Sequence, residues 1–389
     1  MKHESLVPEL RFPEFKGGWS IRKLDEITSK IGSGKTPKGG DEVYEKSGIP
    51  FIRSQNVINN ALILDSTHIP IEIHQSMKSS TVKSDDILLN ITGGSIGRSC
   101  VVPENFEEGN VNQHVSIIRI EQNSPKFFQS FLSSWRGQKL IHQGQTGSGR
   151  EGLNFQSIKN FKIAFPTISE QQKIASFLSA IDKRIKLLEE KKTKLELYKI
   201  GVMQQLFNQD IRFKDDNGKD FPDWEEKRLG KISDITTGSS NRQDSGLDGE
   251  YTFFDRSEDI RTSSIFLFDG EAIIVAGEGS DFVPKYFAGK FDLHQRTYAI
   301  MNFKNSDGKF LFYNIHYYRR YFLRQAVGST VKSLRLPMFQ KMSINLPCIE
   351  EQEKIAEILS KIDESIYIIS VQIDETADYK KGLLQKMFV

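Results

Sequence analysis

Cysteine is almost absent from this chain, with Cys100 and Cys348 the only two in 389 residues. That is too few for a disulfide framework or a zinc cluster, and it points to reduced thiols. No uncharged apolar run approaches the roughly 18–20 residues of a membrane span. Met1-Lys-His-Glu-Ser5 leads into no apolar signal core, so the expected location is cytoplasmic, with no membrane partner. Neither charge sign dominates, with 53 Lys+Arg against 51 Asp+Glu. This excludes a polybasic tail binder, but not a nucleic-acid protein whose cations are local. What remains, 38% apolar and 27% charged residues, suits two or three packed domains.

The chain repeats itself. Pro166-Thr-Ile-Ser-Glu-Gln-Gln-Lys-Ile-Ala-Ser-Phe-Leu-Ser-Ala-Ile-Asp182 matches Pro347-Cys-Ile-Glu-Glu-Gln-Glu-Lys-Ile-Ala-Glu-Ile-Leu-Ser-Lys-Ile-Asp363. Without a gap the register runs on to Tyr198-Lys199 and Tyr379-Lys380, and backward to Leu153 and Leu334. At the front of each half, Trp19, Leu24 and Ile27 share their spacing with Trp224, Leu229 and Ile232. The plan is therefore used twice, with a shared opening, a divergent middle and a shared closing segment.

The closing segments read as long helices. Ser169 with Gln172 three residues on suggests a capping box after Pro166. Ile174, Ile181, Leu188 and Leu195 recur every seven residues, as do Ile355, Ile362 and Ile369, with Leu383 two heptads further. Such heptads predict that the two helices pair as an antiparallel coiled coil. The alternative is a separate amphipathic helix packed on each domain. The fold expected is α+β: two mixed, β-rich recognition domains at 1–165 and 210–345, each followed by a long helix, at 166–209 and 346–389, related by an internal pseudo-twofold repeat.

Catalytic motifs fail. Ile31-Gly-Ser-Gly-Lys-Thr36 resembles the end of a phosphate-binding loop, but Ser29 stands where its first glycine belongs and Pro37 where its helix should begin. Asp223, Glu225 and Glu226 crowd into one short stretch, whereas magnesium-dependent cleavage draws carboxylates from separate strands. The seven histidines show no metal-ligand spacing, and no glycine-rich strand–turn–helix offers an S-adenosylmethionine site. The expectation is a chain with no cofactor, no metal and no catalytic residues of its own.

Two dissimilar surfaces on one scaffold suit DNA, whose bases are read by Asn, Gln, Arg, Ser and Thr and whose phosphates are held by Lys and Arg. In the first half the candidates are Lys35 and Thr36, then Asn90, Thr92, Ser95 and Arg98 around the Gly93-Gly94 turn. Asn112, Gln113 and His114 precede the next strand. In the second half they are Ser240, Asn241 and Arg242, then Glu278 and Ser280, then His294, Gln295 and Arg296. Arg150 and Lys332 are candidate phosphate contacts. Turns favour such residues anyway, and it is the matching placement of the two clusters that singles them out. Tyr317-Tyr-Arg-Arg-Tyr-Phe-Leu-Arg324 reads better as a helix packed on its own sheet than as a stacking surface.

The opening Leu10-Arg-Phe-Pro-Glu-Phe15 to Trp19, the run Ile87-Leu-Leu-Asn-Ile-Thr-Gly-Gly94 leading to Asn112-Gln-His114, and the twice-used Ile-x-Glu-Gln-x-Lys-Ile-Ala helices carry a resemblance across essentially the whole chain. The sequence resembles the specificity subunit of type I restriction–modification systems. That resemblance implies a non-enzymatic subunit in which each recognition domain reads one half of a bipartite, asymmetric double-stranded DNA site. The helices would set the spacer and dock two methyltransferase subunits, with restriction–translocase subunits as further partners. S-adenosylmethionine, ATP and Mg²⁺ would serve those partners. The rival readings are a self-contained nuclease or methyltransferase and, less favoured, a coiled-coil assembly adaptor without DNA contact.

Overall fold

In a computed structural model of the chain, the described residues are 6–58, 60–146, 152–257 and 259–389. The chain divides into two compact units, residues 1–188 with 372–389 and residues 189–371. The division cuts across the linear order of domains and helices, because each unit takes part of each long helix.

The long helices run Ile168–Phe207 and Ile349–Lys386, roughly 60 and 57 Å at 1.5 Å per residue. Ile174, Ile181, Ile355, Ile362, Ile369 and Leu383 are buried, and Leu188 and Leu195 are half-buried. In the first unit Ile174, Leu178 and Ile181 share a core with Leu383, Leu384 and Phe388. In the second, Met203, Leu206 and Phe207 share a core with Ile355, Leu359 and Ile362. Each unit thus buries the apolar stripes of both helices, and its own mixed domain covers them as well. Packing on the domain and packing on the other helix coexist.

The capping box expected at Ser169 and Gln172 is not formed. The helix starts two residues earlier than that cap would set it, at Ile168, and the Thr167 hydroxyl accepts from the Glu170 amide at 3.4 Å. Glu170, 1% exposed, instead serves the opening segment. Its carboxylate accepts two hydrogen bonds from Arg11, at 2.8 and 2.7 Å, and one from the Trp19 indole at 3.3 Å. The second unit repeats this arrangement: Glu351 accepts from Arg212 at 3.2 and 2.8 Å and from Trp224 at 3.0 Å. Beside each tryptophan the opening strand pairs antiparallel with the strand before the long helix, Ser20 opposite Phe165 and Glu225 opposite Leu346. The divergent middles are therefore clamped at both ends by the same contacts.

Within the middles the strand neighbours are also shared. In the first unit Val115–Ile120 lies between Thr28–Ser33 and Ile87–Asn90, all antiparallel. In the second, Thr297–Met301 lies between Asp234–Thr237 and Phe268–Ala276. Among the described strands each unit has one parallel pair, Gly109–Val111 with Ile49–Ile52 and Lys285–Leu293 with Tyr251–Phe254. The first unit splits these strands between two four-stranded sheets, whereas the second joins them in one of six. Each middle is followed by two helices, Pro125–Ser133 with Trp135–Gly144 and Gly308–Tyr317 with Arg320–Gln325. In the first unit the break is Ser134, extended at ψ 161°, whose hydroxyl caps the next helix through the Gly137 amide. Phe322 is fully buried, as a helix packed on its own sheet requires.

Candidate nucleic-acid interface

Alternation of antiparallel neighbours brings three chain segments to one end of each sheet. In the first unit these are the loop leaving Thr28–Ser33, the loop leaving Ile87–Asn90 and the loop entering Val115–Ile120. Backbone hydrogen bonds fix the correspondence between units. Asn112 N donates to Ile52 O at 3.0 Å, and His294 N donates to Phe254 O at 2.9 Å. Ile91 N donates to His114 O at 3.0 Å, and Gly277 N donates to Arg296 O at 2.8 Å. Asn112-Gln113-His114 thus corresponds to His294-Gln295-Arg296, and Thr92 to Glu278.

Two glycines make the close approach of these loops possible. A Cβ on Gly34 would lie 1.6 Å from the Val111 carbonyl oxygen, and one on Gly238 would lie 1.7 Å from the Leu293 carbonyl oxygen. No side chain fits there. The phosphate-loop-like glycine is explained by this contact rather than by nucleotide binding.

Side chains from the three segments are joined in matching pairs. Thr36 Oγ1 bonds Gln113 Oε1 at 2.6 Å, and Gln295 Nε2 donates to Asn241 Oδ1 at 2.7 Å. Thr92 Oγ1 bonds His114 Nδ1 at 2.6 Å, and Arg296 Nη1 donates to Glu278 Oε1 at 2.5 Å. The positions are conserved between the units while their chemistry is exchanged. Lys35, Thr36, Gly93, Gly94 and Gln113 are exposed; Thr92, Ser95 and His114 are half-buried. In the second unit Arg242, Ser280, Gln295, Arg296 and Lys332 are exposed, and Asn241, Glu278 and His294 are half-buried.

Three candidates are corrected. Asn90 is fully buried, donating to Ser54 O and Ser95 Oγ at 2.9 and 3.2 Å. Asn112, 8% exposed, turns its side-chain oxygen onto the His114 amide at 3.0 Å. Ser240, 7% exposed, donates to Asp292 at 2.6 Å. These polar side chains satisfy loop backbone and buried acceptors, so they shape the loops instead of facing a ligand. Arg98, although exposed, lines a separate groove of the first unit with Gln138, Lys380 and Lys381. Arg150 lies outside the described residues. Asp223, Glu225 and Glu226 do not converge: Asp223 faces Arg212 at 3.6 Å, Glu225 pairs with Lys227, and Glu226 accepts from Ser343.

Sequence reasoning missed Arg53 and Arg256, each of which follows the parallel-paired strand. The signal was Arg53-Ser54 after Phe51-Ile52 and Arg256-Ser257 after Phe253-Phe254-Asp255, hidden by one inserted residue. In the second unit a cleft is lined by Arg242, Asp255, Arg256, Glu278, His294, Gln295 and Arg296. Asp255 bonds Arg242 at 3.1 Å. Burial opposes ionisation of Asp255, yet hydrogen bonds from Ser257 and the nearby Arg242 outweigh it and hold the carboxyl below its ordinary value. In the first unit Asp65 is likewise held low. Burial raises it, but Thr67, Gln55 and Arg53 donate to it and prevail. Among the described residues no group of three or more His, Cys, Asp or Glu could hold a metal ion. No helix among them is long and apolar enough to cross a membrane.

The profile of the type I restriction modification DNA specificity domain matches the chain twice, at residues 16–197 and 222–377. The chain belongs to that family. The putative MjaX specificity subunit of Methanocaldococcus jannaschii is 23% identical over 400 residues, covering 95% of this chain and 93% of that relative. The EcoDI specificity subunit of Escherichia coli is 29% identical over 163 residues, covering 42% of this chain but only 36% of the relative. Among solved structures, the type I S subunit from M. genitalium matches with a TM-score of 0.66 at 14% identity, covering 99% of both chains. A second, described in terms of assembly and conformational transition of the type I system, matches at 0.56 and 16% identity, covering 96% and 98%. These likenesses show the fold. Members of the family are the DNA-recognising, non-catalytic subunits of their systems, which agrees with the failed catalytic motifs and sets aside the self-contained nuclease or methyltransferase.

Proposed function

We propose that each unit of this specificity subunit reads one half of a bipartite, asymmetric site on double-stranded DNA, through the loops that end its sheet. The observation that carries this reading is the pairing of equivalent loop positions with unlike chemistry: Thr92 with His114 in one unit, Glu278 with Arg296 in the other. One scaffold with two sets of donors and acceptors recognises two different base sequences, because each base pair shows a distinct edge in the major groove. Exposed Lys35, Arg242 and Lys332 suit phosphate contacts, which place the protein without selecting sequence. Half-sites on one face of the duplex sit about one turn apart, roughly 34–36 Å. The two long helices act as a coiled-coil spacer and as the docking surface for two methyltransferase subunits, with restriction–translocase subunits completing the complex in the cytoplasm. S-adenosylmethionine would serve methylation in the first partners, and ATP and Mg²⁺ the motor and nuclease in the second.

Exchange of residues 12–150 for the corresponding domain of another family member tests modularity, read by mapping methylated adenines in cells that carry the partner subunits. The expected result is one altered half-site and one unchanged. Alteration of both, or of neither, would overturn the assignment. Insertion of one helical turn near Lys191–Lys194 should change the spacer between half-sites, and an unchanged spacer would remove the helices from that role.

A further inference from the structure

We infer that the half-site read by the second unit contains a guanine recognised by Arg296, with Glu278 as the residue that positions the guanidinium. The inference rests on the bipartite DNA reading above and deepens it at one position. Arg296 projects from the loop that enters Thr297–Met301, at the place taken by His114 in the first unit. Its side chain is 62% exposed, whereas its partner Glu278 is 16% exposed. One nitrogen, Nη1, is held by Glu278 Oε1 at 2.5 Å. Among the described residues Nε and Nη2 have no partner. The other Glu278 oxygen faces Arg256 Nη1 at 3.5 Å, which leaves it less open to a further donor.

An acid that is mostly buried and tied between two arginines is poorly placed to accept from a base. What it does is restrict the rotamers of Arg296, leaving a partly engaged planar fork with two free donor nitrogens. Two donors side by side match an edge with two acceptors. In the major groove guanine presents that edge through N7 and O6, whereas adenine sets a donor, N6, beside its N7. The arginine also stands in a cleft where three arginines, 242, 256 and 296, outnumber the carboxylates Asp255 and Glu278. That surplus admits a polyanion without fixing sequence. In the first unit the equivalent slot holds Thr92 and His114, which offer no such fork, so this contact belongs to the second unit's half-site only.

The test is motif mapping by methylated adenines in cells carrying the full chain with its methyltransferase partner. Arg296→Ala should make one guanine position degenerate in one half-site, with discrimination falling roughly five- to hundredfold, the factor a bidentate arginine–guanine pair supplies. The other half-site should not change. Arg296→Lys keeps the charge and loses the fork, so methylation should persist while the same position degenerates; this variant also guards against a folding defect in the first. Glu278→Gln should weaken discrimination at that same position by a smaller factor. A motif that stays intact in Arg296→Ala and Arg296→Lys, with binding merely weakened for every sequence, would make Arg296 a phosphate contact and overturn the inference. A wild-type motif that is not bipartite would instead overturn the reading on which it rests.

Discussion

Lys199 grips both carboxylate oxygens of Asp363, at 2.5 and 2.7 Å, joining the two long helices within the second unit. In the first unit Lys380 donates to one carboxylate oxygen of Asp182. The four residues are related by the internal repeat, since Asp182 matches Asp363 and Lys199 matches Lys380. Each ion pair therefore joins opposite members of the duplication, and each unit contains one. The Tyr313 hydroxyl also donates to Asp363, at 2.8 Å. Burial and this carboxylate both push the phenol's pKa well above its ordinary value.

Asp363 is 39% exposed at its side chain, so solvent screens the pair. A double-mutant cycle with Lys199→Met and Asp363→Asn should give a coupling of about 0.5–1 kcal/mol in denaturant melts. A coupling near zero would mean that apolar packing alone joins the helices there.

Glu351 is fully buried while holding Arg212 and Trp224. Glu351→Leu leaves a guanidinium and an indole N–H without their acceptor, and Arg212 is only 23% exposed. We expect a loss of about 2–4 kcal/mol in unfolding free energy, at the lower side of the range for a broken buried pair because water reaches Arg212. Glu170→Leu should behave alike in the first unit.

Gly34→Ala and Gly238→Ala force a methyl group into a carbonyl oxygen. Each should cost at least the upper end of the roughly 1–3 kcal/mol typical of overpacking. Because each displaces the recognition loop of a single unit, methylation mapping should show loss of recognition at one half-site before the other.

The neutral form of His316 is favoured by its surroundings. Burial is the main cause, and Arg319 and Lys199 add to it, so its pKa lies below the ordinary 6.5. The unfolded chain then binds a proton that the folded chain refuses as pH falls below about 6.5, and stability declines through that window. Thermal melts between pH 7.5 and 5 should show the decline, and His316→Gln should reduce its slope. An equal slope in the variant would assign the decline to other groups.

Much of this architecture was legible in sequence because duplication writes the same contacts twice. The match of Trp19 to Trp224 and of the two Ile-x-Glu-Gln-x-Lys-Ile-Ala segments located both tryptophan–glutamate clamps without revealing that Glu170 and Glu351 were the partners. Heptad spacing gave the buried stripe from Ile174 to Leu383, since a helical period exposes which face is apolar. It could not show that each compact unit takes part of each helix, a consequence of packing between residues roughly 150 to 210 positions apart. Polar residues near glycine turns were the weakest signal. Asn90, Asn112 and Ser240 have the composition of base-reading side chains, but their burial against Ser54, His114 and Asp292 depends on which strands are neighbours.

The sequence alone determined that the protein is a duplicated scaffold with two unlike middles, because periodicity and repeat are properties of residue order. Only the tertiary structure decided which side chains stand together at the sheet ends. Strand pairing brings Thr92 to His114 and Glu278 to Arg296 across 22 and 18 residues of chain, and the choice between a satisfied interior group and a free donor is made by those neighbours.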